Sequence, residues 1–398
     1  MQPLTRAQDA RELPADIVFT SRDDDLRSRL MRINAATLEL SIFYQDDTAD
    51  YLQPVGWSPS GQYLVVVRYP KRDYEVIDLC FVQTNGILKA CFDHVSSDYL
   101  LGSYRVAMDF YSVLWSEDEV RVYFVKDLDC QLQLVEADLE TGTIHQVLHK
   151  QNGGCDNAVP ALYLSPSHQY LAIYSGGDGN LVTSEYIFTV YAREVMTVNL
   201  LTGDRYNLTA QMPSERGPVV FCPGWSPQGQ FLSARFYTES ERPGLYGTFP
   251  YRPEIVLVDP TGQITHALAA DRLAEQDIDF VDCPAWDATE TSFYFLAGGY
   301  DAEWTRTEWV SIFRYTLSNG ELTEVGRLET FHQDEETYKF SVGPLVVSPD
   351  TTHVAFNYRS RQGTIGIGIF FPDGYVMQYE YSYPVGSPLW FPALSNDE

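Results

Sequence analysis

The seven histidines are the first residues to consider for metal binding or proton transfer. They are His94, His145, His149, His168, His266, His332 and His353. None lies in an H-E-x-x-H pattern. His145 and His149 have the helical spacing of two ligands for one ion, but their segment reads as a strand, along which four residues span about 13 Å. The sequence therefore predicts no metal site and no cofactor.

Two serines lie in segments that imitate the start of a nucleophile elbow. Ser58 follows Gly56 and Trp57, and Ser226 follows Gly224 and Trp225. In both segments the last glycine of the G-x-S-x-G pattern is displaced. The same segments recur along the chain as a repeat, which already explains the serines. We therefore assign no catalytic residue. Asp23, Asp24 and Asp25 predict a solvated hairpin tip, because the ligand spacing of a calcium loop is absent.

The six cysteines show no C-x-x-C spacing, so neither a zinc ribbon nor a redox motif is indicated. Cys80 and Cys91 are equidistant from Asn85-Gly86 and would face each other across a two-residue hairpin. Counting from that turn places them in a hydrogen-bonded pair, with Cα atoms about 5.5 Å apart and Cβ vectors poorly aimed. We therefore expect reduced thiols.

A strand, turn, strand repeat supplies the elements that would position any site. Each turn begins at an anchor residue, usually tryptophan followed by serine and proline, and an apolar β-rich run comes next. The anchors are Trp57, Trp115, Leu164, Trp225, Trp286 and Val347. Their spacings of 58, 49, 61, 61 and 61 residues are typical of propeller blades rather than of separate domains.

A second landmark is a residue pair ending in glycine downstream of each anchor. The glycines are Gly86, Gly142, Gly203, Gly262, Gly320 and Gly374. Glycine suits a tight hairpin because it adopts positive φ at little cost. We place each pair between the third and outermost strands of a blade, which completes six blades.

The two ends of the chain predict a seventh blade. Residues 389–392 read as an anchor without downstream strands, and residues 16–20, 30–34 and 38–43 read as downstream strands without an anchor. Pairing them would close an all-β, seven-bladed propeller of four-stranded antiparallel blades. The alternative is six blades with both ends as loose decoration. We expect one domain over residues 16–392, with tails at 1–15 and 393–398.

The repeat of tryptophan, serine, proline and glycine before a β run resembles that of TolB-like propellers and of the non-catalytic domain of prolyl oligopeptidase relatives. The resemblance covers almost the whole chain and implies a fold. It implies little about function, because such propellers serve as docking platforms, substrate filters and occasionally lyases. No segment remains to form the α/β-hydrolase domain of the peptidase relatives.

The third, fourth and fifth blades carry 12, 10 and 7 extra residues relative to the shortest spacing, between their second and third strands. These inserts cover residues 175–186, 238–253 and 298–309, and we expect them to build one rim. They contain aromatic and arginine residues of the types that dominate protein interfaces. The predicted partner-binding residues are Tyr186, Arg242, Tyr246, Phe249, Tyr251, Arg252, Tyr300, Trp304, Arg306 and Trp309. Alternatively, the inserts pack their own aromatics onto the blades.

The net charge of the chain limits the classes of partner that it can bind. With 27 Lys and Arg against 55 Asp and Glu, the net charge is −28, which would repel nucleic acid and anionic membranes. This acidity suits solubility, a salty host or a basic partner. No apolar run is long enough to span a membrane, and Pro14 and acidic residues occupy the place of a signal-peptide core. We therefore expect a cytoplasmic protein with no membrane insertion and no nucleic-acid partner.

We accordingly predict a non-enzymatic propeller that binds a protein partner, of unknown identity and oligomeric state, through the rim of the third to fifth blades. The alternative is a carbohydrate-active or other small-ligand-binding propeller enzyme that uses carboxylates near the central channel.

Overall fold

The chain folds into short strands joined by turns and loops. The computed structural model of the protein describes residues 12–22, 27–70, 76–96, 113–116, 118–128, 131–151, 161–167, 169–174, 179–182, 187–190, 195–212, 219–239, 251–300, 307–327, 341–342, 345–359, 365–381 and 388–392. Seven antiparallel sheets define an all-β, seven-bladed β-propeller. This confirms the predicted fold class, and the six-bladed alternative is wrong.

The chain divides into two compact units. The N-terminal unit comprises residues 15–207 and 391–398, and the C-terminal unit comprises residues 1–14 and 208–390. The expectation of one domain over residues 16–392 stays a prediction.

The N-terminal unit contains the first seventeen strands. The chain begins with β1 (Ile17–Arg22), β2 (Ser28–Ile33) and β3 (Leu40–Gln45). The first sheet consists of β4 (Ala49–Trp57), β5 (Tyr63–Pro70), β6 (Val76–Gln83) and β7 (Leu88–Ser96). The second sheet begins with β8 (Leu114–Trp115), β9 (Arg121–Leu128), β10 (Gln131–Asp138) and β11 (Ile144–Gln151). There follow β12 (Ala161–Leu164), β13 (Tyr170–Tyr174), β14 (Gly179–Val182), β15 (Ile187–Val190), β16 (Val195–Asn199) and β17 (Arg205–Asn207). The third sheet has the order β12-β13-β16-β17.

The C-terminal unit contains the fourth, fifth and sixth sheets. After helix α1 (Leu208–Gln211), the fourth sheet consists of β18 (Val219–Trp225), β19 (Leu232–Glu239), β20 (Tyr251–Val258) and β21 (Ile264–Leu268). After helix α2 (Ala270–Ala274), the fifth consists of β22 (Phe280–Val281), β23 (Ala285–Trp286), β24 (Ser292–Tyr300), β25 (Thr307–Thr316) and β26 (Glu321–Arg327). The sixth consists of β27 (Ser341–Val342), β28 (Val346–Val347), β29 (Val354–Arg359), β30 (Ile365–Phe370) and β31 (Val376–Tyr381). The last strand is β32 (Leu389–Trp390).

The seventh sheet has the order β3-β2-β1-β32, as predicted from the ends of the chain. The residues after β32 pack within the N-terminal unit. The Phe391 N–H donates to the Asp16 carbonyl at 2.8 Å, and the Phe391 ring centroid lies 4.6 Å from that of Trp57. Pro392 packs so closely on Gly61 that a Cβ added to this glycine would lie 2.2 Å from the proline Cγ. The C-terminal segment is therefore held in place by contacts with the turn of the first sheet.

The serine or aspartate after each anchor fixes its turn. In five turns the hydroxyl accepts the N–H five residues on, as when Ser226 accepts from Phe231 at 2.9 Å and Ser58 accepts from Tyr63 at 3.2 Å. The five serines are Ser58, Ser116, Ser165, Ser226 and Ser348. These contacts give Ser58 and Ser226 a structural role.

Asp287 takes the place of the serine in the fifth turn. Its carboxylate accepts the Thr291 N–H at 3.0 Å and also accepts the hydroxyls of Thr289 and Ser292. Burial raises the pKa of Asp287, but hydrogen bonds from Ser292, Thr291 and Thr289 outweigh it and hold the pKa below 3.8. The turn therefore stabilises the ionised carboxylate.

The residue four places after the anchor has positive φ in each turn where it is described. It is glycine in two turns, with φ of 76° at Gly61 and 74° at Gly229. Glu119, Glu290 and Thr351 occupy the same place with φ of 53°, 58° and 63°. This left-handed conformation costs a side chain about 1–2 kcal/mol. A compensating contact is therefore expected wherever glycine is absent.

The two glutamates supply such contacts between neighbouring turns. The Glu119 carboxylate accepts the Ser60 N–H and the Ser60 hydroxyl, the latter at 2.6 Å. The Glu290 carboxylate accepts the Gln228 N–H at 2.5 Å. Each glutamate thus joins its own sheet to the preceding one within the same unit.

Glu290 allows this contact to be tested. Burial raises the pKa of Glu290 despite hydrogen bonds from Gln228 and Ser226. Because Glu290→Gln keeps an acceptor and removes a buried charge, it should leave the free energy of unfolding within about 0.5 kcal/mol of wild type at pH 7. Glu290→Ala should lower it by about 1 kcal/mol, because the Gln228 N–H loses its acceptor. Urea unfolding measures both, and equal losses would contradict the proposed role of the carboxylate.

The anchor tryptophans pack between neighbouring sheets. The Tyr63 ring stacks on Trp115 with centroids 6.1 Å apart, and Phe231 stacks in the same way on Trp286. Both tryptophans lie in or against apolar clusters shared by two sheets. The cluster between the fourth and fifth sheets contains Ile255, Leu257, Leu268, Leu273, Ile278, Val281, Phe293, Phe295, Ala297, Phe313 and Tyr315.

The glycine pairs lie between the strands predicted as third and outermost in the first six sheets. In the second sheet the strand after the glycine is β11, and β14 and β15 extend the sheet beyond it. All six glycines have positive φ, from 66° to 96°. In the first sheet the Gln83 N–H donates to the Ile87 carbonyl, so the loop has three residues rather than two. Only the glycine takes positive φ, as in a type I turn followed by a bulge.

The expectation of reduced cysteines is wrong for the described residues, where Cys80 is bonded to Cys91 and Cys222 to Cys283. The first pair faces across β6 and β7 as predicted. However, its Cα atoms are 4.1 Å apart, close to the roughly 4.5 Å of a non-hydrogen-bonded pair. Two features of the hairpin explain the difference. The additional turn residue changes the hydrogen-bonding phase, and the bulge between Phe81 and Val82 restores the facing of the two cysteines. Cys130 and Cys155 lie outside the described residues.

Arg68 holds two carboxylates in the N-terminal unit. Its Nε and Nη2 donate to Asp78 Oδ2 at 2.8 and 2.6 Å, and its Nη1 donates to Asp46 Oδ2 at 2.9 Å. The Asp78 side chain is 5% exposed and that of Asp46 is 12% exposed. Asp46 follows β3 and Arg68 lies on β5, so the network joins the seventh sheet to the first.

Candidate functional site

The inserts leave the third, fourth and fifth sheets between the second and third strands, as predicted. In the fourth and fifth sheets much of each insert is part of a regular hairpin. The fourth-sheet hairpin is paired as far as Glu239 opposite Tyr251, and the fifth-sheet hairpin as far as Tyr300 opposite Thr307. Only residues 240–250 and 301–306 remain between the paired ends. We call these two hairpin ends, residues 237–253 and 298–309, the insert rim.

Two adjacent glycines shape the fifth-sheet hairpin. A Cβ added at Gly298 would lie 2.4 Å from the Trp309 carbonyl oxygen and 2.5 Å from the Phe280 ring. One added at Gly299 would lie 2.4 Å from Trp309 Nε1. The glycines therefore leave room for the Trp309 indole on the hairpin and for Phe280 beside it.

Trp309 is partly buried against the cluster between the fourth and fifth sheets. The Arg327 guanidinium carbon lies 5.1 Å from its ring centroid. Glu324 positions this arginine through a 3.2 Å ion pair and accepts the Ser311 hydroxyl at 2.7 Å. Trp309 thus matches the alternative in which an insert aromatic packs onto its own sheet, and a direct role in partner binding stays a prediction.

The other predicted site residues of these hairpins are described in part. Tyr251 and Arg252 lie on β20, and Tyr300 is the last residue of β24, but their side chains lie outside the described residues. Tyr251 and Tyr300 are each the final paired residue of a hairpin in neighbouring sheets. Tyr186, Arg242, Tyr246, Phe249, Trp304 and Arg306 lie outside the described residues.

The insert of the third sheet contributes strands to a neighbouring sheet. Residues 179–182 and 187–190 form the β14–β15 hairpin, which pairs with β11 of the second sheet. The second sheet thereby has six strands in the order β15-β14-β11-β10-β9-β8. Local propensity gave no sign of this pairing, because it joins an insert to a strand formed earlier in the chain.

Arg235 is a polar residue near the insert rim that the sequence analysis missed. It lies on β19, four residues before the paired end, within a run that reads as buried and apolar. Its Nη1 donates to the Val281 carbonyl at 2.9 Å and lies 3.3 Å from Asp282 Oδ1. The Cys283 N–H also donates to Asp282, at 2.8 Å, and Cys283 is bonded to Cys222. The fourth and fifth sheets are thus joined below the rim by an ion pair and a disulfide.

Within the part of the chain that the structure describes, no group of three or more His, Cys, Asp or Glu side chains could hold a metal ion. Asp23, Asp24 and Asp25 lie outside that part. His145 and His149 lie on β11, a strand as predicted. Among the described segments, no helix has the length and apolar character needed to cross a membrane.

The chain is similar to solved propellers of low sequence identity. TolB from Acinetobacter baumannii is 14% identical with a TM-score of 0.45, over 95% of this chain and 82% of that one. An oligogalacturonate lyase from Vibrio parahaemolyticus is 10% identical with a TM-score of 0.49, over 92% and 87%. A prolyl endopeptidase is 12% identical with a TM-score of 0.48, over 90% of this chain and 54% of that one. No protein-family model matches the chain. No curated protein sequence matches it significantly.

Proposed function

We propose that this protein is a non-enzymatic propeller that binds a partner protein through the insert rim. The observation that carries the proposal is the pair of hairpins that extends from the fourth and fifth sheets at matching positions. The strands below these hairpins are joined by apolar packing, an ion pair and a disulfide. Rigid supports reduce the entropy lost when a loop becomes ordered on binding, so they favour recognition by the loops that they carry.

The composition of the hairpin ends supports a protein partner. They contain Tyr246, Phe249, Trp304, Arg242 and Arg306, whose residue types give large contact areas and forked hydrogen-bond donors. The net charge of −28 favours a partner with a basic surface and disfavours nucleic acid.

The test is capture of partners from an extract of the native host on immobilised protein, with identification by mass spectrometry. Trp304→Ala and Tyr251→Ala should each reduce recovery of the same partner at least fivefold, because truncating an interface aromatic typically costs 1 kcal/mol or more. Leu201→Ala is the matched control, because Leu201 is 79% exposed in the glycine turn of the third sheet, away from the rim residues in sequence. Recovery that is unchanged in both rim variants would refute this surface.

The competing enzymatic class predicts another outcome. If carboxylates near the central channel form a site, purified protein should contain stoichiometric metal or turn over an oligosaccharide, and the Trp304→Ala variant should keep that property. Elemental analysis and a reducing-sugar assay measure these quantities directly.

A further inference from the structure

The β14–β15 hairpin changes which strand forms the outer edge of the second sheet. His149, Lys150 and Gln151 of β11 pair with Val182, Leu181 and Asn180 of β14. β14 in turn pairs along its whole length with β15. Over these residues β11 is therefore an internal strand, and β15 is the edge.

β15 pairs only with β14 among the described residues. In an antiparallel pair, alternate residues of the edge strand direct their N–H and C=O groups away from the partner. Either Ile187 and Thr189 or Phe188 and Val190 therefore direct main-chain groups outward, where no other described strand pairs with them. Such a row is a template for another strand.

The residues of β15 lack most of the features that protect sheet edges. Natural edges are kept very short or are blunted by charged residues, proline or bulges, and of these devices β15 has only its length of four residues. The stretch of β11 that β14 covers contains Lys150, whereas β15 consists of isoleucine, phenylalanine, threonine and valine. Over these residues the insert has thus replaced an edge with a lysine by an uncharged one with high β propensity.

We propose that β15 binds an extended segment of a partner protein, which adds to the second sheet as a further strand. This inference rests on the proposed protein-binding function and names one partner chemistry for it. The segment supplies main-chain donors and acceptors to β15, and β-branched side chains suit a strand of this composition. Flanking lysines suit the net charge of −28, which also disfavours a second copy of this chain as the occupant.

The probe is a fluorescent ten-residue peptide of alternating valine and threonine with lysines at both ends, titrated with the full chain in fluorescence polarisation. We expect micromolar binding. Two control peptides are N-methylated at alternate positions, one on each edge of the strand, so that each lacks the donors of that edge. At least one should bind tenfold more weakly or worse. Equal affinity of all three peptides would overturn the proposal.

Proline variants test the same edge on the protein. Phe188→Pro and Thr189→Pro remove neighbouring N–H groups, one of which faces outward, and at least one variant should weaken binding tenfold. Thr265→Pro is the matched control, because Thr265 lies on the outer strand β21 at a bulge, where the register pairs it with no residue of β20. Its hydroxyl donates to the Leu257 carbonyl at 3.2 Å, so the folding of this variant is checked in the same way. Wild-type affinity in both folded β15 variants would overturn the proposal. If the circular dichroism of either variant shows loss of structure, the N-methylated peptides on wild-type protein decide.

The two proposals fail separately. Partner recovery that is insensitive to Trp304→Ala and Tyr251→Ala refutes the insert rim, whereas equal binding of the methylated peptides refutes the β15 edge. Analytical ultracentrifugation of the chain alone at micromolar concentration should show no self-association through β15. A dimer that is abolished by Thr189→Pro would contradict the proposal that β15 binds a different protein, because a second copy of this chain would then occupy the edge.

Discussion

Replacing Arg68 with alanine should lower the free energy of unfolding by about 3–5 kcal/mol, the loss typical of breaking a buried ion pair by removing one partner. The guanidinium donates three hydrogen bonds to Asp46 and Asp78, and both carboxylates are largely buried. Without Arg68, Asp78 keeps its desolvation cost and loses both guanidinium hydrogen bonds, whereas Asp46 loses one hydrogen bond and keeps those from Thr48. Urea unfolding at pH 7 measures the difference.

Lys89→Ala is the matched control for Arg68→Ala. The Lys89 ammonium pairs with Glu140 at 2.7 Å, but the Glu140 side chain is 59% exposed. A pair this exposed contributes little to stability, because solvent screens both charges. An equal decrease in the free energy of unfolding in the two variants would show that burial does not make the Arg68 network more stabilising than an exposed ion pair.

The same network should give stability a defined pH dependence. Burial raises the pKa of Asp46, but hydrogen bonds from Thr48 and Arg68 outweigh it and hold the pKa below 3.8. Its stabilisation is therefore present above the unfolded pKa and is lost as the pH falls through the folded pKa. In Arg68→Ala this acid-side loss should shrink, which unfolding curves between pH 2 and pH 6 can measure.

Gly61→Ala should destabilise the protein more than the same change at Gly203. Both glycines have φ of 76°, so alanine bears the same backbone strain of about 1–2 kcal/mol at each. A Cβ at Gly203 meets nothing within 4 Å, whereas a Cβ at Gly61 meets Pro392 Cγ at 2.2 Å. Overpacking of this kind typically costs a further 1–3 kcal/mol, so thermal unfolding should separate the two variants clearly.

A double variant assigns the difference to Pro392. Combining Gly61→Ala with Pro392→Gly removes the atoms that clash, so the pair should be less destabilised than the sum of the two single variants. Non-additivity of at least 0.5 kcal/mol is the expected sign of direct contact. Strict additivity would contradict the packing of the C-terminal segment on the first turn.

The architecture could be predicted because its determinants are local and repeated. Each anchor is followed by an oxygen acceptor and each outer hairpin contains glycine, and both signals recur at the period of a sheet. The partial repeats at the two ends predicted the seventh sheet for the same reason. The repeat did not indicate which residue pairs of a hairpin are hydrogen-bonded, because the first-sheet loop has one residue more than the assumed two-residue turn. For this reason the disulfide between Cys80 and Cys91 was not predicted.

The candidate site was harder to predict because its contacts join residues distant in sequence. Arg235 contacts Val281 and Asp282 of the next sheet, and nothing in its own strand indicates that pairing. The insert of the third sheet pairs with β11, which precedes it by about thirty residues. Contacts of this kind follow from tertiary packing, and a periodic sequence pattern contains no information about them.

The substitution of Asp287 for serine and of Glu119, Glu290 and Thr351 for glycine shows how repeats within one chain can diverge. Each turn requires a small oxygen acceptor at one position and a tolerated left-handed conformation three residues later, and little else. Duplicated segments can therefore lose their recognisable signature one at a time while the architecture persists. A search pattern written on serine and proline would overlook the second and fifth turns, whereas one written on the acceptor and the left-handed residue would find both.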